Sequence, residues 1–85
     1  MGGYNIYFKA SVEKDLKAVP GKDVRKILQK IKSLAEIPRP PGCEKLTGQD
    51  RYRIRQGRYR IVYSIHDRVL TVWIVAIGHR KDIYR

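Results

Sequence analysis

The stretch YRIRQGRYRIVYSI, residues Tyr52–Ile65, decides how this chain folds. Tyr52 and Ile54 alternate with Arg53 and Arg55. After Gln56-Gly57, Tyr59, Ile61 and Tyr63 alternate with Arg58, Arg60 and Val62. A period of two puts successive side chains on opposite faces of a strand, so the stretch predicts strands over 52–55 and 58–65. Gln56-Gly57 is short enough for a hairpin turn. His66-Asp67-Arg68 then supplies a second turn into VLTVWIVAI (69–77), a third strand. That strand is apolar on both faces and therefore belongs near the sheet centre, where it can also take up the first strand.

Upstream, YNIYFK (4–9) sets Tyr4, Ile6 and Phe8 against Asn5, Tyr7 and Lys9, the pattern of a half-buried strand. Ser11 offers an N-cap, with Glu13 and Asp15 suited to the positive end of a helix dipole. Val12, Leu16 and Val19 make one apolar stripe before Pro20-Gly21 breaks the helix. A second helix follows from Val24, Ile27, Leu28, Ile31, Leu34 and Ala35, which share one helical face. The prolines of IPRPPG (37–42) end it. The expected fold is α+β in one domain, 1–85: an N-terminal strand, a two-helix hairpin and an antiparallel three-stranded meander. Together they make a curved sheet of about four strands with the helices on one face.

A chain of 85 residues buries only about 60% of its surface, and the 42% hydrophobic content suffices for one core. The single cysteine, Cys43, has no CxxC or Cys/His spacing around it, so a reducing, cytoplasmic setting fits best. No stretch approaches the ~18 apolar residues of a membrane span, and the start shows no signal-peptide pattern. No membrane partner is expected. Trp73 and the tyrosines 52, 59 and 63 are expected to pack in the core, and His66 to be a turn residue.

Nineteen Lys+Arg against eight Asp+Glu give a net charge of +11, which implies a polyanionic partner. Residues 1–42 hold seven lysines and two arginines, whereas 43–85 hold eight arginines and two lysines. The arginine fork grips phosphate oxygens two at a time, so a specific anion site belongs in the second half. If Tyr52, Ile54, Tyr59 and Ile61 cover the helices, the arginines of two neighbouring strands stand together on the other face. Like charges on adjacent strands repel, and an arriving anion relieves that repulsion. The alternative is that they solvate an exposed face. The ending GHRKDIYR (78–85) adds Gly78, which lets the backbone leave the sheet, and Arg80 and Tyr84, which can fold back beside the arginines, while His79 reads from pattern alone as a surface histidine at the strand end.

EKLTG, YRIRQGRYRIVYSI and VWIVAIGHRKDIYR resemble the RelE branch of the RelE/ParE toxin superfamily. The resemblance covers nearly the whole chain, and GHRKDIYR is its more diagnostic part. It implies a type II toxin that cleaves messenger RNA, usually in the ribosomal A site, with no metal or other cofactor, by attack of the RNA 2′-hydroxyl on the adjacent phosphate. By position, Arg53 and Arg55 match the two basic positions of the second strand, and Arg60 the arginine of the YR(I/L)VY strand. Arg80 matches the arginine after the glycine, and Tyr84 the tyrosine near the end. The second-strand positions are lysines in the best-known members, and the residue after Gly78 is often lysine rather than histidine. The proton acceptor is therefore open.

Such chemistry needs a proton taken from the 2′-hydroxyl, charge stabilised on the phosphate and a proton for the departing oxygen. The expected catalytic set is Arg55, Arg60, His79, Arg80 and Tyr84, with Arg53, Arg58 and Lys81 binding RNA. Arg60 and Arg80 would hold the phosphate, Arg55 assist the hydroxyl, and Tyr84 orient the nucleotide. His79, with a reference pKa of about 6.5, is a better proton carrier than any arginine. The resemblance also implies an acidic antitoxin partner, the ribosome and its mRNA, and operator DNA reached through the antitoxin complex. Two competing readings are a ParE-like toxin that binds DNA gyrase without chemistry, and a silent basic domain that binds nucleic acid.

Overall fold

The computed structural model describes residues 3–46, 48 and 50–79. The chain runs β1 (Asn5–Phe8), α1 (Ala10–Lys17), α2 (Gly21–Ser33), β2 (Glu44–Lys45), β3 (Arg51–Gln56), β4 (Tyr59–His66), a 3₁₀ turn (Asp67–Val69) and β5 (Thr71–His79). The strands form one five-stranded sheet in the order β1-β5-β4-β3-β2. All neighbours are antiparallel except β1, which runs parallel to β5. The apolar third strand of the meander is thus internal and does take up the first strand. The sheet has one strand more than expected, because Glu44 and Lys45 pair with Arg53 and Tyr52. Two residues carry too short an alternation to announce a strand.

Both helices cover the same sheet face. Val12 of α1 and Ile27 and Ile31 of α2, with Leu34 just beyond, join Ile54, Ile61, Tyr63, Val72, Ile74 and Ile77 in one buried core. α1 packs chiefly on β5, and α2 on β3 and β4. Tyr52 and Tyr59 pack against this core as expected. Leu28, at the margin of the α2 stripe, is exposed.

The helix starts differ from the sequence signals, for reasons set by the sheet. Ser11 does not cap α1, whose N-cap is Lys9 with no side-chain bond. The Lys9 N–H still donates to the Ile74 carbonyl, so strand pairing fixes where the helix begins. α2 opens at Gly21, ahead of its first apolar residue, with Pro20 as N-cap accepting from the Asp23 and Val24 N–H groups. Asp15 does not serve the dipole. It accepts from the Ile77 N–H at 3.1 Å, on the stretch of β5 beyond the end of β1. A donor row left open by the missing partner strand is in this way covered by α1.

The hairpin turns also sit one step later than predicted. Gly57 and Arg58, not Gln56 and Gly57, make the first turn, with Gly57 at φ +62, a conformation glycine adopts at little cost. Arg58 is therefore at the hairpin tip. β5 begins at Thr71 because residues 67–69 form the 3₁₀ turn, which Leu70 ends in a left-handed conformation. Within β5 a bulge changes the phase: Val62 faces Ala76, whereas Tyr63 faces Ile74. Val75 is the extra residue, and it brings Ile77 onto the same face as Ile74. Trp73 is consequently on the outer face, 39% exposed, and not in the core. An apolar run with no polar partner positions gives no clue to its phase.

A polar clamp ties the proline-rich exit of α2 to the β4–β5 turn. Arg39 donates Nη1 and Nη2 to the two carboxylate oxygens of Asp67 at 3.2 and 3.0 Å, and its Nε to the Tyr52 hydroxyl at 3.2 Å. Its guanidinium also lies 5.3 Å from the Tyr52 ring centre. The Tyr4 hydroxyl donates to Asp67 Oδ1 at 2.6 Å, and the Tyr63 hydroxyl to the Pro38 carbonyl at 2.8 Å. The Arg39 bonds, then the Tyr4 bond, hold the Asp67 carboxyl below its ordinary 3.8. A depressed carboxyl stabilises the fold above its unfolded pKa and loses that contribution as pH falls through the folded one. Asp67→Asn is therefore expected to lower the melting temperature at neutral pH, with the gap to wild type closing as pH falls below the ordinary carboxyl value of 3.8 and through the lowered one. Tyr63→Phe should cost about 1 kcal/mol in urea denaturation by orphaning the Pro38 carbonyl.

Candidate functional site

The strand register gathers the predicted arginines. Arg55 on β3 lies directly opposite Arg60 on β4, and Arg60 directly opposite Gly78 on β5. Arg53 is opposite Val62 on the same face, away from the helices. Directly opposed residues stand about 5 Å apart, so Arg55 and Arg60 are neighbours across the strands. Gly78 leaves the third place in that row without a side chain.

Burial differs sharply among them. Arg60 is only 3% exposed, which fixes its guanidinium in one place, whereas Arg55 is exposed. The Arg53 side chain is 17% exposed and pairs through Nη2 with Glu44 Oε2 at 3.1 Å. The unforeseen strand β2 thus brings a carboxylate to the arginine row and offsets part of its repulsion. Arg58, at the hairpin tip, is exposed and stands off the row. Glu44 was the functional neighbour missed from sequence, since its pairing depends on a strand of two residues.

His79 is placed elsewhere. It pairs with Tyr59, and Tyr59 belongs to the helix-facing set, so His79 is on the opposite face of the sheet from Arg60. Its ring meets the Tyr59 ring edge-on at 5.9 Å and 86°. Together they line a recess of about 420 Å³ beside α1, with Asp15, Ala18 and Val19. This register sets His79 apart from the arginines of the expected catalytic set. Arg80, Lys81 and Tyr84 lie outside the described residues.

Among the described residues no three His, Cys, Asp or Glu side chains gather into a metal-binding group, and no helix is long and apolar enough to cross a membrane. A fixed buried arginine beside an exposed one, on a sheet face of a chain with charge +11, suits a phosphate group.

Comparison with known proteins identifies the family of the chain. Residues 6–84 match the family described as ParE toxin of type II toxin-antitoxin system, parDE. The chain belongs to the RelE/ParE toxin family. It is 30% identical to Toxin RelG of Mycobacterium tuberculosis, over 96% of this chain and 97% of that protein. It is 31% identical to Putative toxin RelE1 of Methanocaldococcus jannaschii, over 96% of each. Among solved structures, the archaeal RelE–RelB complex from Pyrococcus horikoshii superposes with a TM-score of 0.83 at 28% identity, covering 93% of this chain and 97% of that one. The α+β fold is thus that of RelE toxins, and this RelE/ParE chain is a toxin of a toxin–antitoxin system.

Within this toxin, Glu44 competes with any external anion for Arg53. Glu44→Gln should tighten binding of single-stranded RNA several-fold and steepen its salt dependence by about one unit in log–log slope. Fluorescence anisotropy across a salt series checks this.

Proposed function

We propose that this toxin is an endoribonuclease that cuts messenger RNA, in the ribosomal A site, by attack of the 2′-oxygen on the neighbouring phosphate. The observation that carries the reading is the buried Arg60 held opposite Arg55 and the side-chain-free Gly78. Arg60 binds the scissile phosphate through a donor fork that needs no reorganisation as charge builds. Arg55, exposed beside it, assists the attacking hydroxyl. Arg80 completes the phosphate clamp and Tyr84 orients the nucleotide, as the family resemblance implies. Arg53, Arg58 and Lys81 contact the flanking backbone.

Arginine is a poor general base, because its pKa lies above about 12. The cluster therefore acts by charge stabilisation and positioning, and the ribosome supplies the in-line geometry of the RNA. For His79 the contact with Tyr59 and the α1 side of the sheet supports a structural role. His79→Gln is expected to keep every limb of the pH–rate profile. A limb lost in that variant would reinstate His79 as the proton carrier.

The partner that silences the toxin is a cognate acidic antitoxin laid over the basic surface, through which the pair reaches operator DNA. The solved RelE–RelB structures are toxin–antitoxin complexes of their own chains, which supports an antitoxin partner. The cytoplasm, with its ribosomes, is the proposed place of action. The ParE description of the matching family favours a second reading, a toxin that binds DNA gyrase without cleaving RNA.

Primer extension on mRNA loaded on ribosomes separates the two. Wild type should cut within the A-site codon, and Arg55→Ala and Arg60→Ala should each lose about 10²–10³ in rate. Because Arg60 is buried, Arg60→Lys serves beside it as a variant that keeps the charge while losing the fork. No cleavage by folded wild type, with supercoiling by purified gyrase inhibited, would overturn the nuclease reading.

A further inference from the structure

We infer that the outer sheet face carries a second nucleotide-binding subsite, an aromatic platform of Trp73 and Tyr7 rimmed by cations, which holds single-stranded RNA flanking the arginine site. The inference rests on the RNA-directed reading of that site.

Four strands contribute one residue each to a single row. Arg51 pairs with Ser64, Ser64 with Trp73, and Trp73 with Tyr7, across β3, β4, β5 and β1. Directly paired residues share a face, so this row lies on the same outer face as Arg53, Arg55 and Arg60. Arg51 and Arg55 are four residues apart on β3, a separation of roughly 14 Å. The exposed Arg51 and Arg55, with the half-buried, Glu44-paired Arg53 between them, thus form a cationic line that leads from the Arg55–Arg60 pair to the aromatic row.

Trp73 and Tyr7 lie against each other with ring centres 5.2 Å apart and planes tilted by 32°. They are nonetheless 39% and 48% exposed, unlike the core aromatic Tyr63. Beside Trp73 the surface forms a recess of about 300 Å³ lined by Lys9, Arg51, Ser64, His66 and Val75. Within that lining Ser64 Oγ and His66 Nε2 are 3.2 Å apart. Two flat rings open to solvent, with a lysine and an arginine at their margin and no carboxylate among the described residues lining the recess, match a nucleobase and its phosphates. Charge complementarity therefore favours a polyanion with stacking faces over an apolar protein segment.

The test uses the full-length chain and a 2′-O-methyl oligouridylate of about nine nucleotides, which has no free 2′-hydroxyl to attack. Trp73 is the only tryptophan, so its emission reports the platform directly. The nonamer should quench that emission with the midpoint seen in anisotropy. Trp73→Ala should weaken binding on the order of 10- to 100-fold, and Trp73→Phe much less. Arg51→Ala should lower the salt slope by about one while circular dichroism stays that of wild type, which keeps the test valid if Trp73→Ala fails to fold. Bound nonamer with unchanged emission overturns the inference, as does equal quenching by polyglutamate, which would assign the face to an acidic protein. Ribosomal cleavage that fails in wild type while quenching persists removes the nuclease reading and leaves this subsite standing.

Discussion

The register of β4 between β3 and β5 is the constraint on which the rest of the molecule depends. Ile61 is opposite Ile54 on one side and Ile77 on the other, and Arg60, one residue earlier, is opposite Arg55 and Gly78. A shift of one residue would turn Ile61 and Tyr63 to the outside and Arg60 and Val62 to the helices. The core and the arginine site are therefore two readings of one alignment. The apolar side enforces it, because exposing several fully buried isoleucines costs far more than the arginines gain by any other placement.

What surrounds that alignment is arranged to tolerate the charge it concentrates. Glu44 from the short β2 pairs with Arg53, the hairpin tip carries Arg58 away from the row, and Gly78 sets no side chain beside Arg60. On the side of the proline-rich loop, Arg39 is bound to Asp67 and Tyr52, so this cation serves the fold and not a ligand. The edges are managed as well: β2 is two residues long, and Asp15 covers the unpaired end of β5. A small basic toxin in this way keeps its open backbone groups from recruiting other strands.

The bulge at Val75 links core to surface. By slipping the phase of β5 it lets Ile74 and Ile77 both face the helices while Trp73 is turned out beside Tyr7. The same slip separates His79 from Arg60, since His79 follows the helix-facing phase set by Ile77. One inserted residue thus decides which aromatic side chain meets solvent and which imidazole is excluded from the arginine face.

The sequence by itself determined the period-two strands, the two apolar helical stripes, the arginine face of Arg53, Arg55 and Arg60, and the family. These are local alternations of charge and apolarity, and a strand's geometry translates them directly into faces. Only the tertiary structure decided the two-residue β2, the start of each helix, the Arg39–Asp67 clamp and the sides on which Trp73 and His79 fall. Each of those depends on partners distant in the chain, or on a bulge inside a run that is apolar at every position. Where both faces of a strand are apolar, alternation carries no phase, and packing alone chooses.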